Sequence, residues 1–205
     1  LIYGATLTND LNEKMKYYQQ AAKMYPNDWR TNNNVAYCYL MQNKLSEAKA
    51  ALEKAGTSEA IVNNNMGVVN RLMGNRAKAE ELYNSATAAG SDVNYNLGII
   101  KIQKGEYESA VSNFGDNKTF NTALAQLLNG NPDNALTTVD ASEDKNSAEG
   151  YYLKAIIGAR KKNAEMVANN LKSAISKDAS YKEKAKKDAE FIQYRADSNF
   201  KSAVQ

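Results

Sequence analysis

The feature that most constrains this 205-residue chain is an asparagine-rich block that recurs every 31 residues. The blocks lie at residues 32–36, 63–67 and 94–98 and read NNNVA, NNNMG and NYNLG. Each is followed at a fixed distance by a small residue and then a large one, namely Ala48 and Leu52, Ala79 and Tyr83, and Ala110 and Phe114. A period of this length indicates stacked two-helix units, each of which buries its apolar face against the next.

Small side chains recur where the two helices of a unit must approach closely. Two less regular units follow the first three. Each unit has three positions at which a small residue is expected, and over five units thirteen of these fifteen positions hold Ala, Gly or Ser. Chance would supply about four in an Ala-rich chain. The exceptions are Asn117 and Val167. Because only a small side chain lets one helix backbone approach another, the pattern has a physical reason in helix packing.

These positions resemble the tetratricopeptide repeat (TPR), which has small residues at positions 8, 20 and 27, a turn glycine near 15 and a large residue at 24. The resemblance implies an all-α fold, a right-handed superhelical solenoid of stacked helix-turn-helix units with a C-terminal capping helix. It makes residues 1–205 a single solenoid that consists of a truncated repeat, five repeats and capping helices, at residues 1–26, 27–57, 58–90, 91–115, 116–143, 144–179 and 180–205.

The segment after the last repeat is predicted to cap the stack. Ala185, Ala189 and Ile192 form an apolar stripe on a helix predicted over residues 180–194. Residues 151–205 hold 12 Lys or Arg against 6 Asp or Glu, whereas residues 1–150 hold 14 against 17. Acidic residues interrupt the lysine run at 182–187, and no alternation of aromatic and basic residues accompanies it. The sequence favours a solvated capping face over contact with nucleic acid or lipid.

The composition argues against catalysis. Histidine is absent, which removes the commonest general base and the commonest transition-metal ligand. The single cysteine, Cys38, cannot form an internal disulfide and is interpreted as a small core residue. We therefore expect no enzyme activity, no cofactor and no bound metal. No apolar run reaches the length of a transmembrane helix, and the start at Leu1 without a signal segment is typical of a fragment or a processed product.

In the repeat family the first helix of each unit lines the concave face, and this resemblance gives the candidate site. Position 6 is asparagine in four consecutive repeats, and position 5 is asparagine or aromatic throughout. The predicted partner-binding residues, all amide or aromatic, are Asn33, Asn34, Asn64, Asn65, Asn96, Asn121, Tyr37, Tyr95, Phe120 and Tyr152.

Two interpretations of these side chains stay open. A carboxamide both donates and accepts, so a ladder of asparagines can pair with the backbone of an extended peptide of any sequence. Alternatively, each position-6 asparagine bonds to the backbone of the neighbouring repeat and only satisfies a buried polar group. The aromatic side chains likewise either pack between helices or form peptide pockets. Asn33, Asn64 and Asp92 stand where relatives that clamp a C-terminal carboxylate carry Lys or Arg, which argues against such a clamp.

A further resemblance concerns residues 25–30 (YPNDWR), 120–125 (FNTALA), 128–130 (LNG) and 150–154 (GYYLK). They are similar to the repeat region attached to outer-membrane-protein-A-like, peptidoglycan-associated envelope proteins of Gram-negative bacteria. This implies the periplasm or cell envelope rather than the cytoplasm. The peptidoglycan-binding module itself is not in this chain.

The leading functional prediction is a protein-protein interaction module that docks an extended peptide or a partner protein along its concave face. The alternative is a structural spacer in a larger bacterial cell-envelope protein. A nucleic-acid or membrane-surface binder ranks third, and the sequence leaves the oligomeric state open.

Overall fold

The computed structural model describes residues 2–205, with side chains from residue 4 onward. Within this range the α-helices are α1 (Ile2–Thr6), α2 (Leu11–Met24), α3 (Trp29–Met41), α4 (Leu45–Ala55), α5 (Ala60–Leu72), α6 (Arg76–Ser85), α7 (Ser91–Lys104), α8 (Tyr107–Phe114), α9 (Phe120–Leu128), α10 (Pro132–Asp140), α11 (Ala148–Arg160), α12 (Ala164–Lys177), α13 (Ser180–Lys187) and α14 (Ser198–Ala203). Short 3-10 helices lie at Thr87–Ala89, Glu143–Asn146 and Ala189–Tyr194. No strand occurs among residues 2–205, and the all-α prediction is confirmed.

One left-handed residue marks the turn between paired helices. Gly74, Gly105 and Gly130 have φ values of 87°, 78° and 82° at this turn. Asn43 and Lys162 stand at the equivalent point of two other pairs, each with a φ of 56°. Glycine adopts this conformation without penalty, whereas other residues lose about 1 to 2 kcal/mol in it. The turn geometry is therefore kept even where the sequence does not supply glycine.

The helices form two compact units, Leu1–Ile100 and Lys101–Gln205. The first unit begins with α1, which packs on α2, and α2 in turn packs on α3. The predicted truncated repeat starts at Leu1, which lies outside the described residues. Helices α3 to α5 then enclose an apolar core whose fully buried members include Cys38, Leu52, Val62 and Val69.

Gly67 and Tyr83 show why the small and large positions occur together. Tyr83 on α6 is fully buried, and a Cβ atom built on Gly67 of α5 would lie 2.4 Å from its ring. Contacts this short do not occur between real carbon atoms, so the phenol ring requires glycine opposite it. In the first repeat the same two positions hold Ala36 and Leu52, both fully buried. Glycine stands opposite the larger ring, and alanine opposite the smaller aliphatic side chain.

The C-terminal segment departs from the single capping helix that the sequence predicts. Helix α13 ends at Lys187, and the Asp188 carboxylate accepts from the backbone N–H of Glu190 to begin the 3-10 helix Ala189–Tyr194. A 3-10 helix has about three residues per turn, so the register of buried side chains changes there. Phe191 is fully buried and Ile192 is 62% exposed.

The predicted stripe is therefore correct at Ala185 and wrong at the two positions that follow. Ala185 is fully buried, whereas Ala189 is exposed like Ile192. The capping segment still supplies apolar side chains to the core over α11 and α12, from both sides of the break: Tyr181, Ala185, Phe191, Phe200, Ala203 and Val204.

Candidate partner-binding surface

Within residues 1–100, asparagine side chains connect the first helices of successive repeats, which are α3, α5 and α7. Asn65 Nδ2 on α5 donates to Asn33 Oδ1 on α3 across 2.9 Å. Asn96 Nδ2 on α7 donates to Asn64 Oδ1 on α5, again across 2.9 Å. Asn33 and Asn64 are only 6% and 7% exposed. Each of these two amide pairs, called a rung below, joins position 6 of one repeat to position 5 of the repeat before it.

The three asparagines of a block have different partners. The first residue of the block bonds to the loop that precedes its own helix: Asn32 Nδ2 donates to the Pro26 carbonyl and Asn63 Nδ2 to the Thr57 carbonyl, each across 3.1 Å. The second accepts from the following repeat, and the third donates to the preceding one. At Asn65 and Asn96, position 6 thus pairs with a side chain of the neighbouring repeat rather than with its backbone.

Asn34 differs from the other position-6 asparagines of this unit. It is half-buried on α3, and no described side chain or backbone group pairs with its amide. The residue that stands 31 positions before Asn33 is Ile2, which has no amide to offer. The donors and the acceptor of the Asn34 carboxamide are therefore open to water or to another molecule.

Large exposed apolar side chains lie on the same faces of α3 and α5 as the position-6 asparagines. Tyr37 and Met41 follow Asn34 at helical spacings of three and seven, and they are 46% and 61% exposed. Ile61 and Leu72 lie four residues before and seven after Asn65 and are 45% and 46% exposed. These four residues, together with Asn34 and Asn65, are called the first-helix face below.

In the second unit a pocket of about 290 Å³ lies between α9, α11 and α13. Two predicted residues meet there, the half-buried Phe120 at the start of α9 and the buried Tyr152 on α11. The other lining residues, mostly apolar, are Leu124, Glu149, Leu153, Ile156, Tyr181, Lys184 and Asp188. This set is called the aromatic pocket.

A tyrosine, a carboxylate and a lysine determine the polarity of the aromatic pocket. The Tyr152 hydroxyl donates to Asp188 Oδ2 across 2.7 Å. Burial, and then the neighbouring carboxylate, raise the pKa of the Tyr152 hydroxyl far above its ordinary value, so it stays protonated and remains a donor. Lys184 Nζ lies 4.6 Å from the Tyr152 ring centroid and 4.8 Å from that of Tyr181. Both distances are typical of a cation–π contact.

The two remaining predicted residues are Tyr95 on α7 and Asn121 on α9. Each is half-buried. Tyr95 belongs to the first unit and Asn121 to the second.

The thiol of Cys38 is shielded from solvent. Cys38 is fully buried, and burial raises the pKa of its thiol, which disfavours the nucleophilic thiolate. Among the described residues no three His, Cys, Asp or Glu side chains are placed to hold a metal ion. Within the same part of the chain no helix is both long and apolar enough to cross a membrane.

Comparison with known families supports the repeat resemblance. Residues 17–50 match the family model described as tetratricopeptide repeat. This stretch begins inside α2, contains all of α3 and ends inside α4. No curated protein sequence matches the chain.

Solved structures with similar folds include several repeat proteins. A chain of the APC/C hetero-tetramer Cut9-Hcn1 superposes with a TM-score of 0.76 at 16% identity, covering 96% of this chain and 40% of that one. PilW, a type IV pilus biogenesis factor, gives 0.70 at 15% identity, with 96% and 91% covered. YrrB, described as a TPR protein with an unusual peptide-binding site, gives 0.59 at 21% identity, with 80% and 93% covered. These likenesses show the fold alone, and they confirm the predicted solenoid class of stacked helix pairs.

Sequence reasoning missed several residues that the structure brings to these surfaces. Ile61 stands at position 2 of its repeat. In the repeat family this position lies on the same face of the first helix as positions 5 and 6, so the repeat alignment could have identified it. Tyr181, Lys184 and Asp188 recur at spacings of three and four along α13 and its C-cap. Their spacing predicts one helix face, but only the structure shows that this face borders Phe120 and Tyr152.

Proposed function

We propose that the chain is a non-catalytic protein-protein interaction module that docks an extended segment of a partner protein on its first helices. The observation that carries this proposal is the first-helix face, where four large apolar side chains are 45% to 61% exposed beside the asparagine rungs. Exposed apolar groups in a cluster favour association, because their contact with water is unfavourable. YrrB, which has a similar fold, is described as having a peptide-binding site.

The asparagine amides orient the backbone of a bound partner segment, whereas most of the binding affinity comes from the apolar side chains. In each rung the donating asparagine uses one N–H, which leaves its second N–H and its carbonyl oxygen for a ligand. Asn34 offers a complete carboxamide. A partner backbone that follows these groups can form hydrogen bonds whatever its sequence, while the apolar side chains select for apolar residues.

The alternative of a structural spacer is less well supported. A spacer needs stable contacts between repeats, which the rungs supply, but it has no use for exposed Tyr37, Met41, Ile61 and Leu72. These side chains are therefore better explained by docking. The resemblance to repeat regions of Gram-negative envelope proteins remains a prediction about where such docking takes place.

Affinity capture with matched variants tests the proposal. Tyr37→Glu combined with Leu72→Glu places two charges on the first-helix face. If a partner half-buries both side chains, the loss of about 1 kcal/mol at each weakens binding roughly thirtyfold. Met24→Glu is the control. Met24 is similarly exposed, at 62%, but it lies on α2, which is the second helix of its repeat and does not belong to the first-helix face.

Circular dichroism should show unchanged helicity in all three proteins. Partners that are captured by the wild type and by the Met24 variant, and lost with the double variant, support docking on this face. Equal capture by the double variant would show that the first-helix face is not the binding surface.

A further inference from the structure

The aromatic pocket of the second unit contains a positive charge that has no carboxylate partner among the described residues. Lys184 Nζ has no carboxylate within ion-pair distance among the described residues. Other lysines nearby differ: Lys186 pairs with Glu183 across 2.8 Å and Lys154 with Asp140 across 2.6 Å. Contact with the rings of Tyr152 and Tyr181 restrains the Lys184 side chain, so less conformational entropy is lost when it binds an anion.

Neither acidic side chain that lines the pocket forms an ion pair with this lysine among the described residues. Asp188 is already engaged, because Oδ2 accepts from the Tyr152 hydroxyl and Oδ1 accepts from the Glu190 backbone N–H across 3.0 Å. Glu149 is exposed and makes no ion pair. Both carboxylates repel an incoming anion, and Lys184 is the only cationic side chain among the described residues that line the pocket.

The rest of the pocket is suited to a single large apolar side chain. Its floor is formed by Tyr152 and Leu153, which are 4% and 2% exposed, and Phe120, Leu124 and Ile156 contribute half-buried apolar surface. A volume of about 290 Å³ is at the small end of the range for ligand sites, about 300 to 1,000 Å³.

We propose that the aromatic pocket binds a leucine-sized or larger apolar side chain of a partner protein that has an acidic residue close to it in sequence, with Lys184 receiving the carboxylate. The assignment rests on the proposed docking function and adds to it the chemistry of the bound segment. The apolar side chain supplies affinity through burial, and the charge pair distinguishes acidic partners from neutral ones.

Blocked peptides test each part of this assignment. The probes are three N-acetylated, C-amidated hexapeptides with Leu-Asp, Leu-Asn or Ala-Asp at the centre, so that the side chain carries the only carboxylate. Binding is measured from the chemical-shift changes of the ¹⁵N-labelled 205-residue chain. Leu-Asp is expected to bind about fivefold tighter than Leu-Asn, because a restrained but partly exposed ion pair contributes about 1 kcal/mol. It should bind roughly tenfold tighter than Ala-Asp, because less apolar surface is buried by alanine.

Two lysine variants provide the matched comparison. Lys184→Met keeps the apolar stem over the rings and should remove the difference between Leu-Asp and Leu-Asn while leaving Leu-Asn binding unchanged. Lys186→Met, two residues away and paired with Glu183, should change neither. Absence of Leu-Asp binding, equal affinity for Leu-Asp and Leu-Asn, or a difference that survives Lys184→Met would each overturn the assignment.

Other occupants give different results. Sedimentation that shows a dimer sensitive to Lys184→Met would assign the pocket to a second copy of the chain and overturn the partner assignment. Phosphatidylserine vesicles that bind the wild type but not the Lys184 variant would assign it to a membrane and also overturn it. The capture experiment changes Tyr37 and Leu72, which both lie in the first unit, whereas the aromatic pocket lies in the second. The docking proposal can therefore survive the failure of the pocket assignment.

Discussion

The rung between Asn65 and Asn33 allows a direct test of what the asparagines contribute. Asn65→Ala removes the donor and leaves the Asn33 carbonyl oxygen, in a residue only 6% exposed, without this partner. A buried polar group that loses its hydrogen bond costs about 1 to 3 kcal/mol. We expect the free energy of unfolding to fall by about 1 to 2 kcal/mol and the melting temperature by about 2 to 8 °C for a chain of this length.

Asn34→Ala is the matched control. Asn34 occupies position 6 on the preceding repeat and is half-buried like Asn65, but its side chain makes no hydrogen bond within the described chain. Its replacement should change the free energy of unfolding by no more than about 0.5 kcal/mol. The double variant Asn33→Ala/Asn65→Ala should cost less than the sum of the single changes, by about 1 kcal/mol, because both remove the same bond.

Urea unfolding followed by circular dichroism gives the free energies of unfolding of Asn33→Ala, Asn34→Ala, Asn65→Ala and the double variant, and the same proteins are then compared in partner capture. Equal costs for Asn34→Ala and Asn65→Ala, or strictly additive costs for Asn33 and Asn65, would refute the bracing role of the rung. Unchanged stability with lost capture in Asn65→Ala/Asn96→Ala would instead assign these amides to the partner alone.

Three other changes test the packing. Gly67→Ala should destabilise the protein by about 1 to 3 kcal/mol through overpacking against the Tyr83 ring, and adding Tyr83→Leu, which recreates the Ala–Leu combination of the first repeat, should restore part of this in urea unfolding; no recovery would refute the size-matching argument. Lys162→Gly should raise the free energy of unfolding by about 0.5 to 1 kcal/mol, because glycine holds the φ of 56° without strain, whereas a loss of stability would show that the lysine is not strained. Removal of residues 180–205 should uncover the core over α11 and α12 and cause aggregation or fraying in light scattering and hydrogen exchange, and a truncated protein that stays monomeric and equally stable would contradict the capping role.

Much of the fold follows from the repeat because the signals are local. The small residues and the turn glycines act within a few positions of themselves, and so does Asp10 at the start of α2, which accepts from the backbone N–H groups of Asn12 and Glu13. The prediction of an apolar stripe is wrong beyond Ala185, because the Asp188 side chain caps the start of a 3-10 helix there. A helical period extended across such a break assigns the wrong side chains to the core.

The candidate site was less accessible from the sequence. Its asparagines and aromatics were identified, but their roles depend on partners 31 or more residues away. Asn64 and Asn65 are adjacent in sequence and similar in chemistry, yet one accepts from the repeat that follows and the other donates to the repeat that precedes. Nothing in the local sequence of α5 distinguishes these directions. Likewise, the meeting of Lys184 with Tyr152 depends on how the last helices fold back on α11.

The opposed directions of Asn64 and Asn65 also have a consequence for chain length. A segment that carries an acceptor for its successor and a donor for its predecessor is complementary to a copy of itself. Tandem duplication of the 31 residues that contain α5 and α6 would therefore create a new junction with the same asparagine pair and the same offset along the chain. Insertions of this kind lengthen the array without requiring a second mutation to repair the junction. This offers a physical reason why similar asparagine-rich blocks follow one another in the sequence.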